Sequence, residues 1–404
     1  MNKPDALIGS VWRTPVPAAA RHVFRLLERI DRGWLVLSLP DGRLVSFGQS
    51  GEPVEMRIRD WTVFERVIAR GDIGLGEAWF EGLWDCDDLG RVLTLFATNR
   101  MALESAVHGN LLALLFARLR HLGRANTRRG SRRNIMAHYD LGNEFYSLWL
   151  DGSMTYSSAL FEGDGQRDLE LAQRAKYARI ASTLGLTADD AVLEIGCGWG
   201  GFAEVAACDF GARVHGVTLS PAQLAWARQR AQRGGFDGQA SFEIRDYRDL
   251  RGSTGFIVSV EMLEAVGERW WPSYFSRVRE LLSPGGQALI QTISIADDLF
   301  PRYRKGTDFI QQYVFPGGML PSPGIFREHA ERAGLRLRED FRFGLDYALT
   351  LARWRANFES CSDALRALGF DQRFQRLWRF YLAYCEAGFR AGSIDVHQFH
   401  LERP

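Results

Sequence analysis

Cysteine is scarce in this 404-residue chain, and what there is does not pair. Cys86, Cys197, Cys208, Cys361 and Cys385 make an odd count with no Cys-x-x-Cys spacing. That argues against a disulfide framework and a structural zinc site, and fits a reducing compartment. Long apolar runs are also missing. The longest, "LLALLFA" at 111–117, falls far short of the ~20 residues that span a bilayer. The opening "MNKPDALIGSVWRTP" has no apolar h-region, so no signal peptide is expected. A surplus of one charge is absent too. The net charge is +1, so no global field points to nucleic acid. The histidines show no metal-ligand spacing, and no metal is expected.

What is present is enough apolar sequence, 46% of residues, to bury a sizeable core over two domains. Residues 1–99 read as a small α+β domain, with two alternating runs around Pro40-Asp41-Gly42 as a hairpin and a helix, Gly-rich turn and helix over 61–85. Residues 100–134 read as a basic linker, with eight arginines against Glu104 as the only acid. From 135 to 404 the pattern is α/β. "AVLEIG", "ARVHGVTL", "ASFEIRDY", "GFIVSVEM" and "GQALIQTISI" are five apolar runs with helical stretches between them. This alternation predicts a parallel sheet covered by helices on both faces. The tail 353–404 reads as helical and aromatic, with 374–392 strongly amphipathic.

The densest signal is "VLEIGCGWGGFAEVAA" at 192–207. A phosphate loop of the GxxxxGK[ST] kind fails, because no lysine follows the glycines. Gly196, Gly198 and Gly201 satisfy the bare GxGxxG spacing of a dinucleotide site, but the second run ends without the acid usual for an NAD ribose. Glu194, two residues before the first glycine, is badly placed against a pyrophosphate. It suits a cationic ligand or the orientation of the loop. Asp246-Tyr247 ends the third run and suits an adenine amino group and ring face, and "LLSPGGQALI" has the form of a late unit of a class I methyltransferase sheet. The loop therefore fits the amino-acid part of S-adenosylmethionine better than it fits phosphate.

Further motifs extend this. "HYDLGNEFYSLWLDGSMTYSSALF", "LEIGCGWGG", "GVTLSPAQLAWA", "VEMLEAVG", "QTISI", "FIQQYVFPGGMLPS" and "DYALTLARW" occur in that order over roughly 135–395. In these motifs the chain resembles the cyclopropane-fatty-acyl-phospholipid synthases and the related mycolic acid cyclopropane synthases. The resemblance implies a class I methyltransferase, Rossmann-like sheet and a reaction. The double bond of an unsaturated acyl chain attacks the S-adenosylmethionine methyl, and a bound bicarbonate takes the proton released as a ring closes. It also implies cofactor contacts at Tyr156, Ser157, Gly196, Gly198, Thr218, Leu219, Gln223, Asp246 and Tyr247. The bicarbonate ligands fall on Ser158, Glu264, Gln291, Ile293 and Tyr347. Two of these depart from the family's common pattern: Ser158 stands for Cys, and Gln291 for His. Both still donate hydrogen bonds, but an imidazole able to share the proton is gone. Ring formation is the first expectation. C-methylation of the acyl chain without ring closure is the second, because a displaced base redirects proton loss.

An alkene is a weak nucleophile, so positioning and stabilisation of developing cation must supply the rate, with water kept out. Tyr139, Phe145, Tyr156, Tyr313, Phe315 and Tyr347 are candidates for an aromatic wall. The segment 109–133 puts an apolar stretch beside an arginine cluster, as expected of an anchor on anionic lipid. The expectation is a cytoplasmic protein docked peripherally on a phospholipid surface, with a homodimer through the N-terminal domain or the late amphipathic helix. A methyltransferase on another acceptor and a lipid binder without activity are the rival classes.

Overall fold

The computed structural model describes residues 16–104 and 141–404. It opens with helix α1 (Ala18–Leu27), strands β1 (Trp34–Ser38), β2 (Leu44–Gly48) and β3 (Pro53–Ile58), helix α2 (Thr62–Phe80), strand β4 (Trp84–Asp85) and helices α3 (Leu89–Thr98) and α4 (Arg100–Glu104). The sheet order is β2-β1-β3-β4. The expected hairpin forms at Pro40-Asp41-Gly42, where Gly42 takes φ 84° and Leu39 closes the turn with Arg43 at 2.8 Å. Alternation in β1 buries Leu35 and Leu37 and leaves the intervening side chains half-exposed. The expected helix, Gly-rich turn and helix of 61–85 is one helix, α2, bent at Gly71 (φ 58°, ψ −129°), a conformation glycine adopts freely.

The second sheet has seven strands in the order β10-β11-β9-β8-β5-β6-β7. All five apolar runs are in it as β5 (Ala191–Ile195), β6 (Arg213–Thr218), β7 (Ala240–Ile244), β8 (Thr254–Val260) and β9 (Leu282–Ile295), mutually parallel. Strand β5 is buried along almost its whole length, as a parallel strand covered on both faces must be. The covering helices include α5 (Gly142–Ser147), α6 (Leu169–Leu184), α7 (Gly201–Phe210), α8 (Pro221–Gly234), α9 (Trp271–Leu281), α10 (Phe300–Tyr303), α11 (Phe309–Tyr313), α12 (Pro323–Arg332), α13 (Gly344–Ser360), α14 (Ser362–Ala367) and α15 (Gln372–Arg390). Strand β6 follows β5 on one side and β8 flanks it on the other. The mouth of β5 is therefore a switch point, where such sheets bind ligands.

The reading of 353–404 as helical needs correction. Helices α13 to α15 end at Arg390, and Ile394–Glu402 is strand β11, antiparallel to β9 and to β10 (Arg336–Arg342). Polarity hid both strands. The buried His397 and Gln398 of β11 find partners in Asp340 and Gln291. Strand β10 is charged because it forms the sheet edge.

The N-terminal sheet and the helices near the site share one continuous apolar core. Arg376 of α15 lies 4.0 Å over the Trp79 ring and donates to the carbonyls of Trp79 (2.6 Å) and Trp84 (3.0 Å). Trp79 Nε1 returns a bond to the Arg376 carbonyl at 2.9 Å. Gly76 makes this contact close: a Cβ there would stand 2.7 Å from Phe309 ring carbons and 2.9 Å from Phe380. Gly76→Val is expected to cost ~1–3 kcal/mol by overpacking, read as a lowered midpoint in thermal unfolding. An unchanged midpoint would mean that the rings give way. Residues 105–134 of the expected linker, with the arginine cluster, and Tyr139 lie outside the described residues. Among the described residues no helix is long and apolar enough to cross a membrane, and no group of acids, histidines and cysteines has the form of a metal site.

Candidate functional site

The glycine loop after β5 is pinned onto β6, with the amides of Gly196 and Cys197 both donating to the Val217 carbonyl (2.9 and 3.0 Å). Gly196, Gly198 and Gly200 take φ of 86°, 51° and 85°, in the left-handed region that disfavours other residues. Gly201 opens α7, and a Cβ on it would lie 3.0 Å from Tyr177 and 3.2 Å from Thr155. The loop therefore brings bare backbone up to a helix start on the wall of a pocket.

All nine residues expected at the cofactor line this one pocket: Tyr156, Ser157, Gly196, Gly198, Thr218, Leu219, Gln223, Asp246 and Tyr247. Thr218 Oγ1 donates to Gln223 Oε1 at 2.8 Å, and Ser220 caps α8 on the Gln223 amide. Asp246 is clamped by Arg248 through 2.8 and 2.6 Å bonds, so its carboxylate is held at the wall. Glu194 faces the same space. Burial pushes its carboxyl up to about 8 against the opposing charge of Lys176. Its Oε2 is enclosed with no hydrogen-bond partner among the described residues. An enclosed, unpartnered carboxyl oxygen beside a glycine cradle fits a ligand that brings its own ammonium group.

The second cluster sits beside it. Glu261, at the mouth of β8, lines the pocket with φ 49°, rare for a non-glycine residue. Its Oε1 accepts from the Ser158 amide (2.9 Å) and Gln291 Nε2 (2.8 Å), and its Oε2 from Tyr347 Oη (2.6 Å). Glu264 Oε1 accepts from the Ile293 amide (2.5 Å) and Thr292 Oγ1 (2.9 Å). The five residues expected around an anion are thus brought together, but three of them hold Glu261 and Ile293 holds Glu264. The Ser158 hydroxyl points elsewhere, to the Ala159 carbonyl at 3.0 Å.

Lys176 ties the clusters together. It is fully buried on the apolar stripe of α6, lies 4.0 Å from the Tyr177 ring centroid, and donates from Nζ to Ser157 Oγ at 2.5 Å. Burial lowers its ammonium to about 7, while Glu261, Asp151 and Glu194 act to raise it. Burial likewise raises Glu261, opposed first by Lys176 and then by its three donors.

Glu264 is raised to about 8 by burial and then by the charge of Glu261, and its Oε2 is enclosed and unpartnered among the described residues. The folded chain therefore holds a proton that the unfolded chain releases above the ordinary value of 4.5. Its contribution to stability is full below that value and is lost as pH rises to about 8, at ~1.4 kcal/mol per pH unit. Glu264→Gln is expected to flatten that stretch of the stability profile, measured by urea unfolding at several pH values. An unchanged slope would mean that Glu264 is ionised in the fold.

Among the other expected aromatics, Tyr156 lines the pocket and bonds Tyr381 Oη at 2.7 Å. Phe145 lies in the aromatic core with Trp149 and Trp378, Tyr313 bonds Glu77 of α2, and Phe315 packs on Tyr381. Two residues were not among the candidates read from the sequence. Glu261 stands three before Glu264 in "VEMLEAVG", and only its backbone conformation turns it into the site. Lys176 had a visible signal, a lysine between Ala172 and Ile180 on a buried stripe.

The family model for mycolic acid cyclopropane synthetase matches residues 126–399. Tuberculostearic acid methyltransferase UfaA1 of Mycobacterium tuberculosis is 37% identical over 98% of this chain and 94% of its own length. The cyclopropane-fatty-acyl-phospholipid synthase of Escherichia coli K12 is 34% identical over 87% of this chain and 88% of its own. Among solved structures, mycolic acid cyclopropane synthase CmaA1 complexed with SAH and CTAB superposes with a TM-score of 0.63. It is 31% identical, covering 67% of this chain and 98% of that one.

Proposed function

The chain belongs to the mycolic acid cyclopropane synthetase family of S-adenosylmethionine-dependent methyltransferases, and from that premise we propose that it methylates the double bond of an unsaturated fatty acyl chain to give a branched product without closing a ring. The observation that carries this reading is the Glu261 carboxylate, held by Ser158, Gln291 and Tyr347 on the pocket wall. In this reading it is the base, and it takes the place expected for bicarbonate. A second anion there would meet the charge of Glu261 with its donors already engaged.

Gly196 and Gly198 would receive the carboxylate end of S-adenosylmethionine, Glu194 its ammonium, Gln223 the ribose and Asp246 with Tyr247 the adenine. The double bond attacks the sulfonium methyl. The methyl–sulfur bond breaks with its electron pair staying on sulfur, and a cation is left on the acyl chain. Loss of a proton from the methyl carbon as it closes on the cation gives a cyclopropane. If a 1,2-hydride shift first moves the cation onto the methylated carbon, proton loss gives a branched alkene. The ring and the methylene-branched chain both lose the proton from the methyl carbon and differ in timing: a free anion settled against the methyl takes it as the ring closes, whereas a carboxylate tethered in the wall takes it after the hydride shift. Tyr156 supplies a ring on the pocket wall and helps to exclude water.

The full-length similarity to a tuberculostearic acid methyltransferase supports branching. The similarity to a cyclopropane-fatty-acyl-phospholipid synthase supports ring closure as the second reading. We further propose that the substrate is presented at a phospholipid surface, to which the protein docks from the cytoplasm. The test is to mix the protein with S-adenosylmethionine and vesicles of a monounsaturated anionic phospholipid, then analyse the acyl chains by mass spectrometry and proton NMR. A gain of one CH2 with olefinic methylene signals is expected. Upfield cyclopropane protons would favour the second reading, and no mass gain would overturn both.

A further inference from the structure

Glu261 is connected toward the β10 edge of the sheet by a chain of donors with one direction. Gln398 of β11 is the cross-strand partner of Gln291 of β9. Gln291 donates to Glu261 Oε1 at 2.8 Å, Gln398 Nε2 donates to Gln291 Oε1 at 3.0 Å, and Arg179 Nη1 of α6 donates to Gln398 Oε1 at 2.6 Å. Arg179 is itself fixed by Glu339 of β10 at 2.5 Å and by the Phe341 ring, 3.7 Å from centroid to guanidinium. Both glutamines are fully enclosed. A primary amide has a donor end and an acceptor end, so a buried pair of amides is satisfied equally well with both turned over. A guanidinium has donors only. It fixes the oxygen of Gln398, hence the nitrogen that meets Gln291, hence the nitrogen that meets Glu261.

We propose that Arg179 and Gln398 are positioning residues for methyl transfer: they lock the Gln291 amide as a donor to Glu261 Oε1, which keeps this carboxylate ionised and directs the abstracted proton to Oε2. The proposal rests on Glu261 being the base. Oε1 already accepts two bonds, whereas Oε2 accepts one, from Tyr347. The proton therefore arrives at Oε2, and the C–H electron pair it leaves becomes the new double bond of the product. The other charged and titratable groups facing Glu261 are Lys176 of α6 and Tyr347 of α13, which favour its anion or hold it, and Glu264 of the following turn, which opposes it.

Gln398→Glu tests this with little change of shape. A carboxylate there still accepts from Arg179 but cannot donate to Gln291, so the Gln291 amide turns its oxygen to Glu261. The acidic limb of kcat against pH is expected to move up by about one unit, with about tenfold lower kcat below it and KM values changed less than about twofold. Arg179→Met should shift the limb in the same direction, and Arg179→Lys should restore it. A melting curve accompanies each variant, and Glu261→Gln is assayed alongside. If Gln398→Glu lowers only the melting temperature and the limb stays in place, the positioning role is overturned while Glu261 stands. If Glu261→Gln forms branched product at the wild-type rate, the base assignment fails, and the chain has nothing to position.

Discussion

Glu261→Gly is expected to change which product forms. The residue has φ 49°, where a side chain costs ~1–2 kcal/mol and glycine costs nothing. The substitution therefore relieves the backbone while removing the carboxylate. It leaves the Ser158 amide, Gln291 Nε2 and Tyr347 Oη, donors that now converge on one carboxylate, aimed at a space the size of a small planar anion. Bicarbonate in the buffer can take that space and accept the proton as the ring closes. The branched product should fall by at least about 100-fold, the loss expected for removing a general base. A cyclopropane product should appear in proportion to added bicarbonate. Glu261→Gln keeps the shape without a proton acceptor and should lose total turnover by a similar factor, with or without bicarbonate. Acyl methyl esters analysed by mass spectrometry and NMR distinguish these results. Branched product from Glu261→Gln at the wild-type rate would show that the proton goes elsewhere.

Lys176→Met should produce the second largest effect. The lysine shares a buried space with Glu194, Glu261 and Asp151 and is their common opposing charge. Methionine fills a similar volume without charge. Loss of this cation removes the main influence that opposes burial at Glu261, so the carboxyl moves further up and holds its proton to higher pH than in the wild type. Turnover at pH 7 is expected to drop by about 30- to 100-fold and to recover as pH is raised toward 9. Affinity for S-adenosylmethionine should weaken as well, because Glu194 loses the same neighbour and Ser157 loses its 2.5 Å donor. Rates across that range and calorimetric titration check both parts. A flat loss at every pH would reduce Lys176 to a packing role.

The parallel core of the fold was legible because five apolar runs, each bounded by turn residues, leave few other arrangements. Strands β10 and β11 were not, because an edge strand is kept charged and an inner strand whose polar side chains find partners shows no apolar run. The cofactor wall was legible because its shape comes from glycines and strand ends, which are local. The base was not. Glu261 and Glu264 are chemically alike and three residues apart, and what separates them is one unusual backbone angle together with donors arriving from Ser158, Gln291 and Tyr347. Contacts spread over about 190 residues of chain leave no local pattern.

The place of β11 bears on how the chain is made. It follows every other described element in synthesis, yet it lies between β9 and β10. Until it leaves the ribosome, β9 presents an open, largely apolar edge and β10 has no neighbour to join. The nascent protein must therefore wait with its catalytic sheet unfinished, a state in which an unpaired edge invites pairing with other chains.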